Sequence, residues 1–186
     1  MEIGFIIVIL VVLVIGFVMN TYNKLVKLRN MVQDQWAQIE VQLKRRADLI
    51  PNLVETVKGY ASHEKETFEA VISARNKAVS SIESGSKQAE MQANGELSQV
   101  LGRLFALSEA YPELKADSSF LNMQSNLKET EDKISYARQF YNDAVLKYKN
   151  KREMFPSNII ASMFKFEPEP FFEATEAERV TPKVEF

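Results

Sequence analysis

Cysteine is absent from the sequence, and histidine occurs once, as His63. Disulfides, thiolate nucleophiles, zinc ribbons and Cys/His metal clusters are excluded by that count alone. His63 is followed by Glu64, but a zincin helix needs a second histidine four residues on, where Thr67 stands. His63 therefore reads as a surface residue, and no metal or cofactor is expected. Glycine and proline are scarce as well, six of each in 186 residues, against abundant Leu, Ala, Glu, Lys, Gln and Asn. That balance describes long helices rather than many short strands. A basic excess is missing too: 23 Lys and Arg face 25 Asp and Glu, a net charge of -2, so no nucleic-acid partner is expected. The length leaves room for one membrane segment and one ordinary domain.

Charge is lacking altogether between Glu2 and Lys24, and every residue from Ile3 to Met19 is apolar or glycine. At about 1.5 Å per helical residue such a run spans a hydrocarbon core of about 30 Å. A cleaved signal peptide is the competing assignment. It needs a basic n-region and a small-residue cleavage site, and neither the start nor Asn20-Thr21-Tyr22-Asn23 supplies one. A single-pass anchor over residues 1–23 is therefore expected, with the lipid bilayer as partner. Lys24, Lys27 and Arg29 follow the span and only Glu2 precedes it, which predicts the N-terminus outside and the remaining chain in the cytoplasm.

Beyond the anchor, Leu25, Leu28, Val32, Trp36, Ile39, Leu43, Ala47 and Ile50 recur at threes and fours, the mark of one buried helical stripe. Pro51 is read as a turn, with Asp48 capping the next helix, in preference to a mid-helix kink. A second stripe runs Leu53, Val57, Tyr60, Glu64, Phe68, Val71, Arg75, Val79 and Ile82 and stops at Gly85, which suits a left-handed cap. A third helix, interrupted at its start by Asn94-Gly95, carries Leu97, Leu101, Leu104 and Leu107 to Tyr111-Pro112. Asp117 or Ser118 caps the fourth, whose heptad-like stripe Phe120, Gln124, Leu127, Glu131, Ile134, Arg138, Tyr141, Val145 and Tyr148 is coiled-coil-like. Short connections favour an up-down order, so residues 24–154 are expected to form an all-α four-helix bundle, its last helix ending near the bilayer. Residues 155–166 read as a short apolar helix or cap, and residues 167–186, with Glu167-Pro168-Glu169-Pro170, as a flexible tail.

Three strings, LKRRADLIPNLVETVKGYASHE, LGRLFALSEAYPELKAD and FPSNIIASMF, together with the anchor and YNKLVKLRN, resemble the LemA family over nearly the whole chain. The resemblance implies a bacterial, membrane-anchored helical bundle without an established enzymatic activity. It also implies two associations: some relatives organise or shape membranes in organelle-forming bacteria, and members tend to occur with a membrane zinc metalloprotease.

No acid pair in the sequence stands beside a nucleophile, so an enzyme is not expected. Glu64, Arg75, Glu131 and Arg138 fall on apolar stripes and are candidates for interhelical ion pairs that fix register; the alternative is that they flank the core and reach water. Lys44, Arg45 and Arg46 form one basic cluster, and Lys147, Lys149, Lys151 and Arg152 another. The second either complements a helix C-terminus or meets anionic lipid, with Phe155, Phe164 and Phe166 dipping into the interface or packing under the bundle. The function expected is a scaffold or adaptor that binds another membrane protein, a membrane zinc metalloprotease among them, or assembles with its own copies. The alternative is a membrane-shaping protein acting through lateral oligomerisation.

Overall fold

The computed structural model describes residues 2–172. Every regular element among them is a helix: α1 (Glu2–Lys58), α2 (Lys65–Ser84), α3 (Lys87–Leu107), α4 (Pro112–Ala116), α5 (Ser118–Glu153) and α6 (Ser157–Met163). The all-α class read from the sequence holds. Contacts divide the chain into two compact units, one made of residues up to Ala37 with Gln139–Phe171, the other of Gln38–Arg138 with Phe172. Stretches of α1 and α5 belong to each.

In the first unit, the side chains from Ile3 to Ile15 stand exposed along α1, as a helix requires when its solvent is lipid. The burial pattern changes at Thr21 and Leu25, where α1 begins to pack. Trp36 meets Tyr141 of α5 edge to face, ring centroids 5.1 Å apart. One heptad nearer the anchor, Arg29 lies 5.4 Å from the Phe166 ring, whose neighbour Glu167 accepts through its carbonyl from Tyr148 of α5. A step of seven along α1 thus matches a step of seven along α5 in the opposite direction, so the two stretches run antiparallel in heptad register.

The segment after α6 is ordered up to Phe172, where a flexible tail was expected from residue 167 onward. Lys165 takes the left-handed conformation (φ 52°), and the Phe166 N–H reaches back to the Ala161 carbonyl at 2.9 Å, a helix stop of the Schellman type. The chain then extends through its two prolines along α5. Tyr148 Oη donates to the Glu167 carbonyl and Tyr141 Oη to the Pro170 carbonyl, each at 2.7 Å. The spacing explains the fit: seven helical residues rise about 10.5 Å, and three extended residues cover about the same distance. Proline removes donors that would go unpaired here and leaves the carbonyls available. The rest of the expected tail, residues 173–186, lies outside the described residues.

In the second unit, α1, α2, α3 and α5 share one core that includes Ile50, Leu53, Val57, Phe68, Val71, Leu97, Leu104, Phe120 and Leu127. Two boundaries differ from the sequence reading. α1 passes through Pro51 and ends at Lys58, so the turn falls after it rather than at Pro51, and the second helix starts at Lys65 rather than near Leu53. Pro51 leaves the Ala47 carbonyl, four residues back, without its helical N–H. Arg75 of α2 fills the gap, its Nε donating to that carbonyl at 3.2 Å. Asn94-Gly95 does not interrupt α3, which is continuous from Lys87. Gly85 (φ 68°) closes α2, and Asp117 Oδ1 accepts the Phe120 N–H at 2.8 Å to start α5, the two caps expected there.

Candidate functional site

A groove of about 900 Å³ opens in the second unit among α1, α3 and α5. Its lining is mixed, with Leu43, Phe105 and Leu121 on it beside Gln124, Lys128 and Asp132. A side chain at Gly102 would meet nothing within 4 Å, and Leu121 is half exposed, so the groove is open at these two positions, whereas Leu43 and Leu127 are buried beneath it. The floor is polar. Arg46, only 3% exposed, donates through Nη1 to Glu131 (2.7 Å) and Ser98 Oγ (3.0 Å) and through Nη2 to the Asn94 carbonyl (3.0 Å) and Asn94 Oδ1 (2.8 Å). Asn94 is itself oriented by donating to the Glu90 carbonyl at 2.9 Å.

Burial lowers the Arg46 pKa below the ordinary arginine value, and the charge and hydrogen bond of Glu131 oppose that shift. The guanidinium stays charged and fixed, with four acceptors already on it. It serves as a joint between helices, not as a free anion receptor. No group of three or more His, Cys, Asp or Glu side chains with metal-binding geometry occurs among the described residues.

At one end of the same unit, two tyrosines tie the loop after α1 to the α3–α5 connection. Tyr60 Oη donates to Asp117 Oδ2 at 3.0 Å, and Tyr111 Oη donates to Glu64 Oε1 at 3.2 Å. The Phe120 N–H and then the Tyr60 hydroxyl hold the Asp117 carboxyl below its usual range, and the Tyr60 phenol rises in turn.

In the first unit, α6 covers the place where α1 leaves its apolar run. Tyr22 packs edge-on against Phe164 (4.9 Å) and Phe166 (5.6 Å), and the Arg29 guanidinium lies 5.4 Å from the Phe166 ring. Ile160 and Ala161 turn inward, while Met154, Phe155, Ile159 and Met163 remain exposed.

The family model described as LemA family matches residues 35–186, most of the chain. The chain belongs to the LemA family. Among its curated relatives are two named magnetosome protein MamQ in Paramagnetospirillum magneticum, each 27% identical over 200 residues, covering 94% of this chain and 74% of the relative. Protein LemA of Metamycoplasma hominis is 27% identical over 158 residues, covering 85% of this chain and 71% of that protein. With the exposed apolar helix, these relatives make this LemA-family chain a membrane-associated one.

Two of the quoted strings that carry the resemblance meet in space within the second unit. LKRRADLIPNLVETVKGYASHE holds Arg46, Pro51, Tyr60 and Glu64, and LGRLFALSEAYPELKAD holds Tyr111 and Asp117. The stripe charges have partners outside their own set of four. Glu131 takes Arg46, Glu64 takes Tyr111, Arg75 takes the Ala47 carbonyl, and the Arg138 guanidinium lies 4.1 Å from the Phe172 ring. Arg46 and Asn94 were missed as site residues. Arg46 was grouped with its basic neighbours, although it falls three after Leu43 and four before Ile50, a stripe position. In the second basic cluster Lys147 is exposed, Lys149 lies 5.7 Å from the Phe171 ring, Lys151 is half-buried and Arg152 pairs with Glu153 at 3.0 Å. Phe155 is 80% exposed and Phe164 half exposed, whereas Phe166 is buried and not available to lipid.

Proposed function

We propose that this LemA-family chain is a non-enzymatic, membrane-anchored scaffold that receives an amphipathic helix of another membrane protein in the groove among α1, α3 and α5. One observation carries this: the second unit opens there into about 900 Å³ with apolar side chains and polar ones on its lining, over an Arg46–Glu131 pair at 2.7 Å. A groove of that kind suits a helix laid in by its apolar face, with anchors three and four residues apart. A membrane zinc metalloprotease is the partner class that the family resemblance favours. The magnetosome relatives favour a second reading, a membrane-organising protein in which the groove takes a helix of a neighbouring copy.

Gln99 is exposed on the groove and the chain has no cysteine, so Gln99→Cys gives one attachment point for a benzophenone crosslinker in native membranes. The expected product is an adduct to a helical segment of a membrane protein, lost when half-exposed Leu121 is replaced in Leu121→Glu. An adduct to the chain itself selects the membrane-organising reading. No adduct, or one indifferent to Leu121→Glu, removes the groove as a docking site.

A further inference from the structure

α6 and the turn before it leave an apolar face exposed among the described residues of the first unit. Phe155 (80%), Met154 (63%), Met163 (60%) and Ile159 (56%) are exposed, and Ile159 and Met163 lie one turn apart on the same face of α6. The opposite face, Ile160 and Ala161, is buried. A patch of this kind on a soluble surface marks an interaction site, and its height fixes what it meets.

The α1–α5 register supplies that height. Trp36 faces Tyr141, and Arg29 lies against Phe166, next to the Glu167 carbonyl that Tyr148 holds, so the end of α5 at Glu153 comes to about 3 Å above the level of Tyr22, with Met154 and Phe155 directly after it. Phe164 touches Tyr22 directly, ring centroids 4.9 Å apart, which places the other end of α6 at the same level. Tyr22 lies three residues beyond Met19, about 4.5 Å along the helix from the end of the apolar run. That is the depth of the headgroup and acyl boundary, where aromatic rings collect. The apolar face is thus continuous with the membrane span.

We infer that α6 and its leading turn form a second, interfacial membrane contact, seated in the lipid boundary beside the span through Phe155, Ile159 and Met163. The basic cluster on α5 does not supply the binding. In the same register Lys147 stands about 12 Å above Tyr22, beyond the ~8 Å screening length at physiological salt, and Lys151, about 6 Å above it, only adds attraction where the lipid is anionic. Arg152, closer still, is paired with Glu153. The contact therefore forms on neutral as well as anionic lipid and is independent of the groove in the other unit.

The full chain with Ile159→Cys or Met163→Cys, labelled with a small fluorophore and reconstituted into phosphatidylcholine vesicles, reads this contact. The comparison site is Lys133→Cys on α5, exposed and in the other unit. Lipids spin-labelled near the headgroup should quench the Ile159 and Met163 sites several-fold more than the Lys133 site, and aqueous iodide should quench them several-fold less. Quenching by iodide equal to that at Lys133, without quenching by lipid, overturns the inference. So does shielding from both quenchers, whether it is relieved on dilution with lipid, which identifies a second copy as the cover, or persists, which identifies the chain itself.

Discussion

Arg46 is the side chain on which the second unit depends most, because its charge is nearly out of water and its donors are spread over α3 and α5. An arginine in that position is tolerated only with its counter-charge in place. Its partner is unequal: the Glu131 side chain is 47% exposed. Removing the glutamate charge strands the arginine, whereas removing the arginine leaves a glutamate that water can solvate. Glu131→Gln is therefore expected to cost about 2 kcal/mol, below the range for a fully buried pair because water screens half of the carboxylate. Chemical denaturation of the full chain in detergent measures it. A variant with unchanged midpoint would show that the Asn94 and Ser98 acceptors alone hold the guanidinium. Heptad spacing places Arg46 on the α1 stripe, so its burial was legible in the sequence. Its partners were not, since Asn94, Ser98 and Glu131 stand 48 to 85 residues away.

α1 shows how an element can carry a residue that ought to end it. Proline within a helix removes one hydrogen bond and crowds the preceding turn, at a cost of about 3 kcal/mol. Here the freed Ala47 carbonyl accepts from Arg75, so α1 and α2 are joined at the point where α1 would otherwise break. Arg75→Met should destabilise the protein by about 1 kcal/mol. In a Pro51→Ala background, where residue 51 again donates to the Ala47 carbonyl, the same substitution should cost measurably less. Equal costs in the two backgrounds would mean that Arg75 acts elsewhere. The sequence held one half of this: Val32, Trp36, Ile39, Leu43, Arg46, Ile50, Leu53 and Val57 keep an alternating four-three rhythm across Pro51, which a turn would have reset. The other half is tertiary. The same division holds elsewhere, since the anchor and the Gly85 and Asp117 caps rest on local signals. Asn94-Gly95, a turn signal by composition, is overridden because Asn94 is anchored by Arg46. The Glu-Pro segment looks like tail until tyrosines 19 and 29 residues earlier fix its carbonyls.

For the whole molecule, the side of the membrane on which the helical units stand decides which partners the groove can reach. Lys24, Lys27 and Arg29 follow the apolar run, and positive flanks are retained in the cytoplasm during insertion, before any packing occurs. Arg29 later lies against Phe166. That contact forms after orientation is set, so all three charges count toward it. The N-terminus is accordingly expected outside, and a partner of the groove should present a cytoplasmic helix. Glu83 is exposed near the end of α2 and forms no part of the caps at Gly85 and Ser86, so Glu83→Cys introduces one thiol into a chain without any other. A membrane-impermeant maleimide added to intact cells should leave that thiol unlabelled until the cells are lysed. Labelling before lysis would place both units outside and redirect the crosslinking search to extracellular faces of membrane proteins. The lipid contact of α6 would stand in either case, because it depends on depth at Tyr22 and not on which leaflet Tyr22 faces.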